Sequence, residues 1–346
     1  MKNTEAATAL LLMPGKNDNR AVRSALMAMK VTPQDVTANK AGMFQLLEIL
    51  QEMPHSVAVV DLDAMQPAMP TILALAQFLD QIVLRQRVVL TRHNYGPVWE
   101  SDRNWVKRLG FCDLFPELDS ASLLAESHGF LDHVAKITDA ASINPTVLSK
   151  YYSAMQVRLD SHSPRGLIRK ITGTDAESLC TLMASKVKSL NRTYRLKSYP
   201  SCFLGTDAVT WLATHFRMPR DMAVQVGQAL QELDFVNHVL HEQPFADAPN
   251  FYRTAMSSSA DRLDLGAVIT VMRSENGVEV RDRNYLGKNY PACFVGSEAV
   301  DWVHKNYKLP RHNAETVLNR LYGFGFLHHV TREHKLKDGN FFYSFD

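Results

Sequence analysis

Two closely similar stretches of twelve residues lie 91 positions apart in the chain. Residues 200–211 read PSCFLGTDAVTW, and residues 291–302 read PACFVGSEAVDW. The match continues without a gap in both directions, as far as the pair formed by Phe251 and Phe342. Solenoid repeats have periods of roughly 20–50 residues. A period of 91 residues therefore indicates a small domain that is duplicated in tandem.

The composition is that of an ordinary globular protein with two or three domains. The chain has 346 residues, of which 46% are hydrophobic and 21% are charged. Its net charge of +2 argues against a dedicated polyanion-binding protein. The four cysteines show neither metal-ligand spacing nor a disulfide framework, which favours a reducing, cytoplasmic location.

Motifs for chemistry and for membrane insertion are missing from the sequence. We find no nucleophile elbow, P-loop or paired-histidine zinc motif, so we expect no catalytic residue, no metal and no cofactor. No apolar run approaches the ~20 residues that cross a bilayer. The N-terminus lacks the basic-then-apolar order of a signal peptide. These observations favour a binding protein over an enzyme.

Residues 1–137 alternate apolar strands with helical segments. Residues 57–61 and 87–91 read as buried strands, and residues 72–79 and 99–109 have helical spacing. Apolar strands that alternate with helices predict a doubly wound parallel sheet with both faces covered. In such sheets, ligands bind at the carboxyl ends of the strands.

This N-terminal region resembles the receiver domain of bacterial response regulators, a five-stranded doubly wound fold. Asp61 falls where receivers carry the phospho-accepting aspartate, and Thr91 falls where they carry their switch hydroxyl. Pro14-Gly15 replaces the acidic pair that holds Mg²⁺ in receivers, with Asp18 as the nearest acid, and Glu117 stands near the lysine position. Phosphoryl transfer to Asp61 is disfavoured when neither a bound Mg²⁺ nor a lysine neutralises the phosphate oxygens. We therefore predict a pseudo-receiver that serves as an interaction or homodimerisation surface.

Residues 138–174 are predicted to form a basic helical linker. The Asn144-Pro145 step breaks the preceding pattern, and Pro145 can open a helix. Lysine and arginine outnumber acidic residues here more than elsewhere. Such a tract is usually a solvated connection, and contact with lipid headgroups or an acidic partner is the alternative.

The two copies span residues 175–254 and 263–346. Each copy contains a short helix, a polar hairpin, a second and a third helix, and two final strands. Thr206 and Ser297 are expected to cap the second helix, because hydroxyl side chains accept from free N–H groups there. Three helices with a terminal β-hairpin predict a winged-helix-like domain in each copy.

Both copies resemble DEP domains, the module shared by Dishevelled, pleckstrin and regulators of G-protein signalling. The resemblance rests on an aromatic-glycine turn, a following helix with Val and Trp, and a late aromatic pair. In the first copy these are Phe203-Leu204-Gly205, Val209, Trp211 and Phe251-Tyr252; in the second they are Phe294-Val295-Gly296, Val300, Trp302 and Phe342-Tyr343. The resemblance implies a non-enzymatic module that docks onto receptors, acidic phospholipids or proteins, often through its hairpin.

The hairpin of each copy is rich in cationic residues. The predicted membrane- or partner-binding residues are Lys186, Lys188, Arg192, Arg195 and Lys197 in the first copy, and Arg281, Arg283 and Lys288 in the second. Basic residues near an anionic bilayer contribute about 1 kcal/mol each, so the first set predicts reversible binding. The alternative is that these charges only solvate the hairpin.

Three functional hypotheses follow. The favoured one is a cytoplasmic signalling adaptor, peripheral at the inner membrane face, whose partners are signalling proteins or an anionic membrane surface. A response-regulator-like transcription factor is the alternative, since winged helices often bind DNA. The third helix of the first copy carries too few cations for phosphate anchoring, and that of the second, with Arg311 and Arg320, is only modestly better, which argues against DNA. The third hypothesis is a working phospho-switch at Asp61.

Overall fold

A computed structural model describes most of the chain. The described residues are 7–13, 19–66, 68–92, 98–116, 118, 123–124, 129–155, 163–194, 197–240, 242–255, 263–285 and 287–345.

The N-terminal domain is a five-stranded parallel sheet with strand order β2-β1-β3-β4-β5, which confirms the predicted fold class. Its strands are β1 (Thr8–Leu12), β2 (Thr32–Asp35), β3 (Ser56–Asp61), β4 (Val88–Arg92) and β5 (Asp113–Pro116). Strands β1, β3 and β4 are buried along their whole length, as their apolar runs indicate. The edge strand β2 has no apolar run, and the sequence alone did not locate it.

Helices cover both faces of this sheet. They are α1 (Arg20–Ala28), α2 (Lys40–Glu52), α3 (Leu62–Met65), α4 (Ile72–Phe78), α5 (Ile82–Arg85), α6 (Glu100–Arg108) and α7 (Phe130–Thr138). Side chains of a strand point alternately to opposite faces. Leu10 and Val60 therefore belong to one core, whereas Leu11 and Val59 belong to the other.

The region predicted as a basic linker contains two helices that pack on different domains. Helix α8 (Pro145–Ala154) packs on the N-terminal domain, where the Tyr152 hydroxyl donates to the Ala21 carbonyl at 3.0 Å. Helix α9 (Pro164–Thr172) buries Ile168 in the core of the first copy. Both helices begin with proline after a side-chain cap, from Asn144 and Ser163.

The two copies have the same order of elements. The first contains α10 (Ala176–Lys186), β6 (Leu190–Tyr194), β7 (Lys197–Leu204), α11 (Gly205–His215), α12 (Arg220–Glu232), β8 (Val236–His238) and β9 (Phe251–Thr254). The second contains α13 (Leu265–Met272), β10 (Arg281–Tyr285), β11 (Lys288–Val295), α14 (Gly296–Tyr307), α15 (Arg311–Gly323), β12 (Leu327–His329) and β13 (Phe342–Phe345). The hairpin and the final strands join into one four-stranded sheet in each copy, with order β6-β7-β9-β8 or β10-β11-β13-β12.

The glycine of the repeated motif is required by close packing. A Cβ atom on Gly205 would overlap the carbonyl oxygen of Ala246, and one on Gly296 would overlap that of Lys337. Helices α11 and α14 begin at these glycines, without a side-chain cap. The prediction that Thr206 caps helix α11, and its equivalent in the second copy, was therefore wrong.

The copies differ in how they are packed into the molecule. The first copy and helix α9 form a core of their own. The core of the second copy is continuous with one face of the N-terminal sheet. Trp105 of helix α6 makes this junction, with its ring 4.7 Å from that of Phe324 and 5.8 Å from that of Phe326.

Candidate functional site

The structure brings Asp61 and Thr91 together at the carboxyl edge of the parallel sheet. The Thr91 hydroxyl donates to Asp61 Oδ2 at 3.0 Å. Asp61 Oδ1 accepts from the backbone N–H groups of Asp63 and Ala64, both at 3.0 Å, and so caps helix α3. Asp61 and Thr91 are both buried. Each carboxylate oxygen of Asp61 is therefore engaged inside the protein.

A buried charge cluster joins this edge of the sheet to the second copy. Arg320 of helix α15 donates to Asp102 Oδ1 through Nε at 2.9 Å, and its Nη2 lies 2.7 Å from the same oxygen. Asp102 is 0% exposed and Arg320 is 4% exposed. Arg92 lies 3.7 Å from the other oxygen of Asp102 and places its guanidinium 4.4 Å from the centre of the Phe324 ring. We call these four residues the interdomain cluster.

Burial and mixed charges set the electrostatics of the cluster. Burial is the largest influence on Arg92 and lowers the pKa of its guanidinium, with Asp102 acting in the opposite direction. Arg320 lowers this pKa further, and the carboxylates of Asp63 and Asp61 raise it. Arg92 and the second copy thus cover the carboxyl edge of the sheet.

Sequence reasoning did not find the interdomain cluster. One signal was available, because the equivalent of Arg320 in the first copy is Ala229. A cation that is present in only one of two matched core helices indicates a contact specific to that copy. The other positions of the receiver comparison, Pro14-Gly15, Asp18 and Glu117, lie outside the described residues.

In the first hairpin, the predicted cations have different surroundings. Lys186 at the end of α10 and Lys188 just after it are exposed. Arg192 is 21% exposed, lies 3.7 Å from Asp207 and rests 5.9 Å from the centre of the Phe251 ring. Arg195 and the side chain of Lys197 lie outside what the structure describes.

In the second hairpin, most of the cationic charge is neutralised. Arg283 is 11% exposed and donates to Glu298 at 2.8 Å, with Glu279 at 3.7 Å. Arg281 lies 3.6 Å from the same Glu279. Lys288 is exposed. This hairpin therefore presents less positive charge than the first.

One ion pair recurs at matched positions in the two copies. Arg192 and Asp207 of the first copy correspond to Arg283 and Glu298 of the second. Each pair links the hairpin to the first turn of the following helix, and we call it the hairpin brace. The brace arginines thus have a structural role inside each copy.

Each hairpin also exposes an aromatic ring beside its cations. Tyr194 is 54% exposed and its counterpart Tyr285 is 55% exposed. Each ring meets an aromatic ring of the closing strand edge-on, Phe251 at 6.4 Å and Phe342 at 6.2 Å. A tyrosine with an apolar ring and a polar tip suits the boundary between water and an apolar surface.

The described histidines, cysteines and acids do not assemble a metal site. Among the residues that the structure describes, no group of three or more of them could hold a metal ion. The rings of His329 and His334 are 4.0 Å apart, but their Nδ1 atoms bond to Thr331 and to the Lys335 carbonyl. Within the same described ranges, no helix has the length and apolar character to cross a bilayer.

Comparison with known protein families assigns both copies. The model of the domain found in Dishevelled, Egl-10 and Pleckstrin (DEP) matches residues 186–254 and 277–345. The chain carries two DEP domains in tandem. The receiver resemblance of the N-terminal domain is not supported by a family match and remains a prediction. We refer to the two copies below as DEP1 and DEP2.

Curated relatives share only part of their length with this chain. The mouse phosphatidylinositol 3,4,5-trisphosphate-dependent Rac exchanger 1 protein is 29% identical over 182 residues, which are 49% of this chain and 11% of that protein. The human Rac exchanger 2 protein is 26% identical over 159 residues, 43% of this chain and 10% of that protein. The vacuolar membrane-associated protein iml1 of Emericella nidulans is 31% identical over 83 residues, 23% of this chain and 4% of that protein.

Proposed function

We propose that the chain is a non-enzymatic signalling adaptor that docks reversibly on an anionic membrane surface through the DEP1 hairpin. The observation that carries this proposal is the contrast between the hairpins. DEP1 leaves Lys186, Lys188 and Tyr194 exposed, whereas in DEP2 acids neutralise Arg281 and Arg283. Cations beside an exposed aromatic ring match an anionic headgroup layer above an apolar interior.

The N-terminal domain serves, in this proposal, as the platform that holds DEP2. The interdomain cluster and the shared core support this role. A phospho-switch at Asp61 is not favoured, because both carboxylate oxygens of Asp61 already accept hydrogen bonds in a buried setting. A homodimer through this domain remains a prediction.

The names of two relatives are consistent with a membrane setting. One is described as dependent on phosphatidylinositol 3,4,5-trisphosphate and another as vacuolar membrane-associated. From these names we infer for this chain only a peripheral signalling role at the cytoplasmic face of a membrane. The matched regions are small parts of those relatives, so their exchange activity is not carried over to this chain.

Binding of DNA by the third helices is less well supported. Arg220 at the start of α12 forms a bidentate pair with Asp247, with both distances 2.7 Å. Arg311 at the start of α15 is paired in the same way with Asp338 and also contacts Asp301. These arginines are engaged by carboxylates and are poorly available for phosphates, which a DNA-binding helix needs.

Co-sedimentation with liposomes tests the proposal. The chain of 346 residues is expected to bind vesicles that contain anionic lipid, and to dissociate from them as salt rises, because exposed charges are screened. The Lys186→Ala/Lys188→Ala variant should bind about 30-fold more weakly, since two cations contribute about 2 kcal/mol. The matched control is Arg281→Ala/Lys288→Ala in DEP2, which should bind nearly as well as wild type.

Two outcomes would contradict docking on an anionic membrane. Equal binding to neutral vesicles would show that charge does not drive docking. No binding to any vesicle would leave an acidic protein surface as the target of the same hairpin, to be tested by pull-down with the full chain.

A further inference from the structure

A polar cleft lies between DEP1 and DEP2. On the DEP1 side, Asn237 of β8 and Arg253 of β9 stand directly opposite each other on antiparallel strands, so their side chains share one face of the sheet. On the DEP2 side, His312, Glu315 and Asn319 follow one another in α15 at intervals of three and four residues. Residues at this spacing share one face of a helix. A face of a sheet and a face of a helix thus line the cleft.

Arg253 brings a positive charge to the cleft from the DEP1 side. It is partly buried, and its Nε donates to the Pro200 carbonyl oxygen at 3.0 Å. Within the described ranges, no carboxylate forms an ion pair with its guanidinium. Burial is the largest influence on Arg253 and lowers the pKa of its guanidinium. Because a partly buried cation is stabilised by an opposite charge, the terminal nitrogens of Arg253 are suited to an anionic group.

The DEP2 side contributes two buried polar atoms and a carboxylate. Neither His312 Nδ1 nor Asn319 Oδ1 has a hydrogen-bond partner among the described residues. Buried polar atoms are normally hydrogen-bonded, so an acceptor such as Asn319 Oδ1 is suited to an N–H or O–H donor. Glu315 lies between them on the helix face, and its Oε1 accepts from the backbone N–H of Asp338 at 3.1 Å.

The two charged residues are specific to this contact between the copies. The position that matches Arg253 in DEP2 is Ser344, and the position that matches Glu315 in DEP1 is Val224. Residues of the shared DEP core recur at the repeat distance, whereas these two do not. Their charges are therefore a property of the cleft and not of the DEP fold.

The formal charge of the cleft restricts the class of ligand. Arg253 contributes one positive charge and Glu315 one negative charge. Burial, and then Arg253, lower the pKa of His312 to about 4, so its imidazole is neutral at pH 7. A phosphate dianion would bring two negative charges beside Glu315 with only one cation to balance them. A ligand that carries one positive and one negative group matches both charged residues.

The size of the cleft restricts the ligand further. Its volume is about 60 Å³. This is room for about two to five water molecules. Nucleotides and inositol phosphates are much larger than this space, whereas the smallest amino acids are comparable to it.

We propose that the cleft between DEP1 and DEP2 binds a small zwitterion of the α-amino acid class. Arg253 binds the carboxylate through its planar guanidinium, the arrangement that arginine favours with carboxylates. The ammonium group donates to Asn319 Oδ1 and lies on the side of the Glu315 carboxylate. This site is separate from the DEP1 hairpin, so its test needs no vesicles and stands apart from that of membrane docking.

Isothermal titration calorimetry of the chain at pH 7 tests the proposal. The ligands are glycine and L-alanine, with acetate and methylamine as molecules that each carry only one of the two charged groups. We expect glycine or alanine to bind with a dissociation constant of about 1 mM or lower. Acetate and methylamine should each bind at least about tenfold more weakly, because each lacks one charged hydrogen-bonding group.

Arg253→Gln tests the carboxylate end of the site. Glutamine keeps hydrogen-bond donors but removes the charge, so the affinity for glycine should fall by about tenfold or more. Arg217→Gln, at an exposed arginine of DEP1 that does not line the cleft, is the matched control and should leave the affinity unchanged.

Glu315→Gln separates charge recognition from a loss of folding. The glutamine side chain can still accept from the Asp338 N–H, but the formal charge of the cleft becomes +1. This variant should bind acetate more tightly than wild type and glycine more weakly, and a misfolded protein would not gain affinity for acetate. Three results would overturn the proposal: no binding of either amino acid at millimolar concentration, tighter binding of acetate or inorganic phosphate than of glycine by wild type, or unchanged glycine affinity in Arg253→Gln.

Discussion

DEP1 and DEP2 share a fold and differ in what covers the same face. In DEP1, helix α9 of the same module packs on helix α12, and Arg165 lies 5.7 Å from the centre of the Phe235 ring. In DEP2, helix α6 of the N-terminal domain covers the equivalent face, with Trp105 on Phe326. One copy therefore completes its own core, and the other completes its core with a second domain. Duplication preserved the module and changed its partner.

Breaking the interdomain cluster should have the largest effect. Arg320→Ala removes the cation closest to the buried Asp102 carboxylate and leaves Arg92, 3.7 Å away, beside it. Breaking a buried ion pair in this way costs about 3–5 kcal/mol of stability. The N-terminal domain and DEP2 should lose this stability together in urea unfolding, while the DEP1 transition stays in place. The double variant Asp102→Ala/Arg320→Ala should lose less than the sum of the single changes. Strict additivity would mean that the two residues do not act as a pair.

A change at Gly325 should sharpen the contrast at the same junction. Gly325 has φ +76°, and a Cβ atom there would overlap the Pro70 carbonyl oxygen of the N-terminal domain. Gly287 has the same φ with no neighbour near its Cβ position. Gly287→Ala should thus cost only the backbone strain, about 1–2 kcal/mol. Gly325→Ala should cost clearly more in thermal unfolding, and equal costs would exclude a tight contact with Pro70.

Acid should loosen the contact between the two DEP domains. His312 of α15 lines a small interface cavity with Arg253 and Asn237 of DEP1, and with Glu315 and Asn319 of its own helix. Burial first, and then Arg253, lower the pKa of His312 to about 4, whereas Glu315 raises it. The neutral imidazole therefore stabilises the packed state.

The sign of this effect follows from the lowered pKa. Stability from neutral His312 is fully present above pH ~6.5 and is lost as pH falls toward 4. Because His312 is partly exposed, we expect about 1–2 kcal/mol after solvent screening. Small-angle scattering should show a larger radius of gyration at pH 5 than at pH 7. His312→Asn should remove that difference, and an unchanged wild-type radius would contradict the assignment.

The hairpin brace should give the smallest effect. Arg283 and Glu298 lie 2.8 Å apart with Arg283 mostly buried, whereas Arg192 and Asp207 are 3.7 Å apart and more exposed. Partly exposed ion pairs contribute about 0.2–1 kcal/mol. Differential scanning calorimetry should therefore show a slightly larger loss for Arg283→Ala than for Arg192→Ala. The reverse order would mean that the brace geometry does not set its strength.

Most of the fold could be predicted because the spacing of apolar residues along short stretches marks most of its helices and strands. The apolar runs of β3 and β4 and the repeated motif around Gly205 led directly to the parallel sheet and the DEP domains. Strand β2 was not predicted, because a solvated edge strand needs no apolar run. Helix α9 was assigned to a linker because its sequence is rich in basic residues and Ile168 is its one fully buried large apolar side chain.

The candidate sites were harder to predict because they depend on contacts distant in sequence. Asp61 and Thr91 lie at the carboxyl ends of adjacent parallel strands, which brings their side chains to the same edge of the sheet. The contact between Asp102 and Arg320 joins residues 218 positions apart, so no local sequence pattern predicts it. The cations of the hairpins were visible in the sequence, but the carboxylates that neutralise Arg192 and Arg283 come from the following helix.

Hydrogen–deuterium exchange of the full chain, with and without anionic vesicles, tests the central claim most directly. We predict that vesicles protect residues 186–194 of the DEP1 hairpin and leave residues 281–285 and helix α15 unchanged. Equal protection of both hairpins, or a loss of protection across α6 and α15, would contradict the division between a docking DEP1 and a DEP2 held by the N-terminal domain.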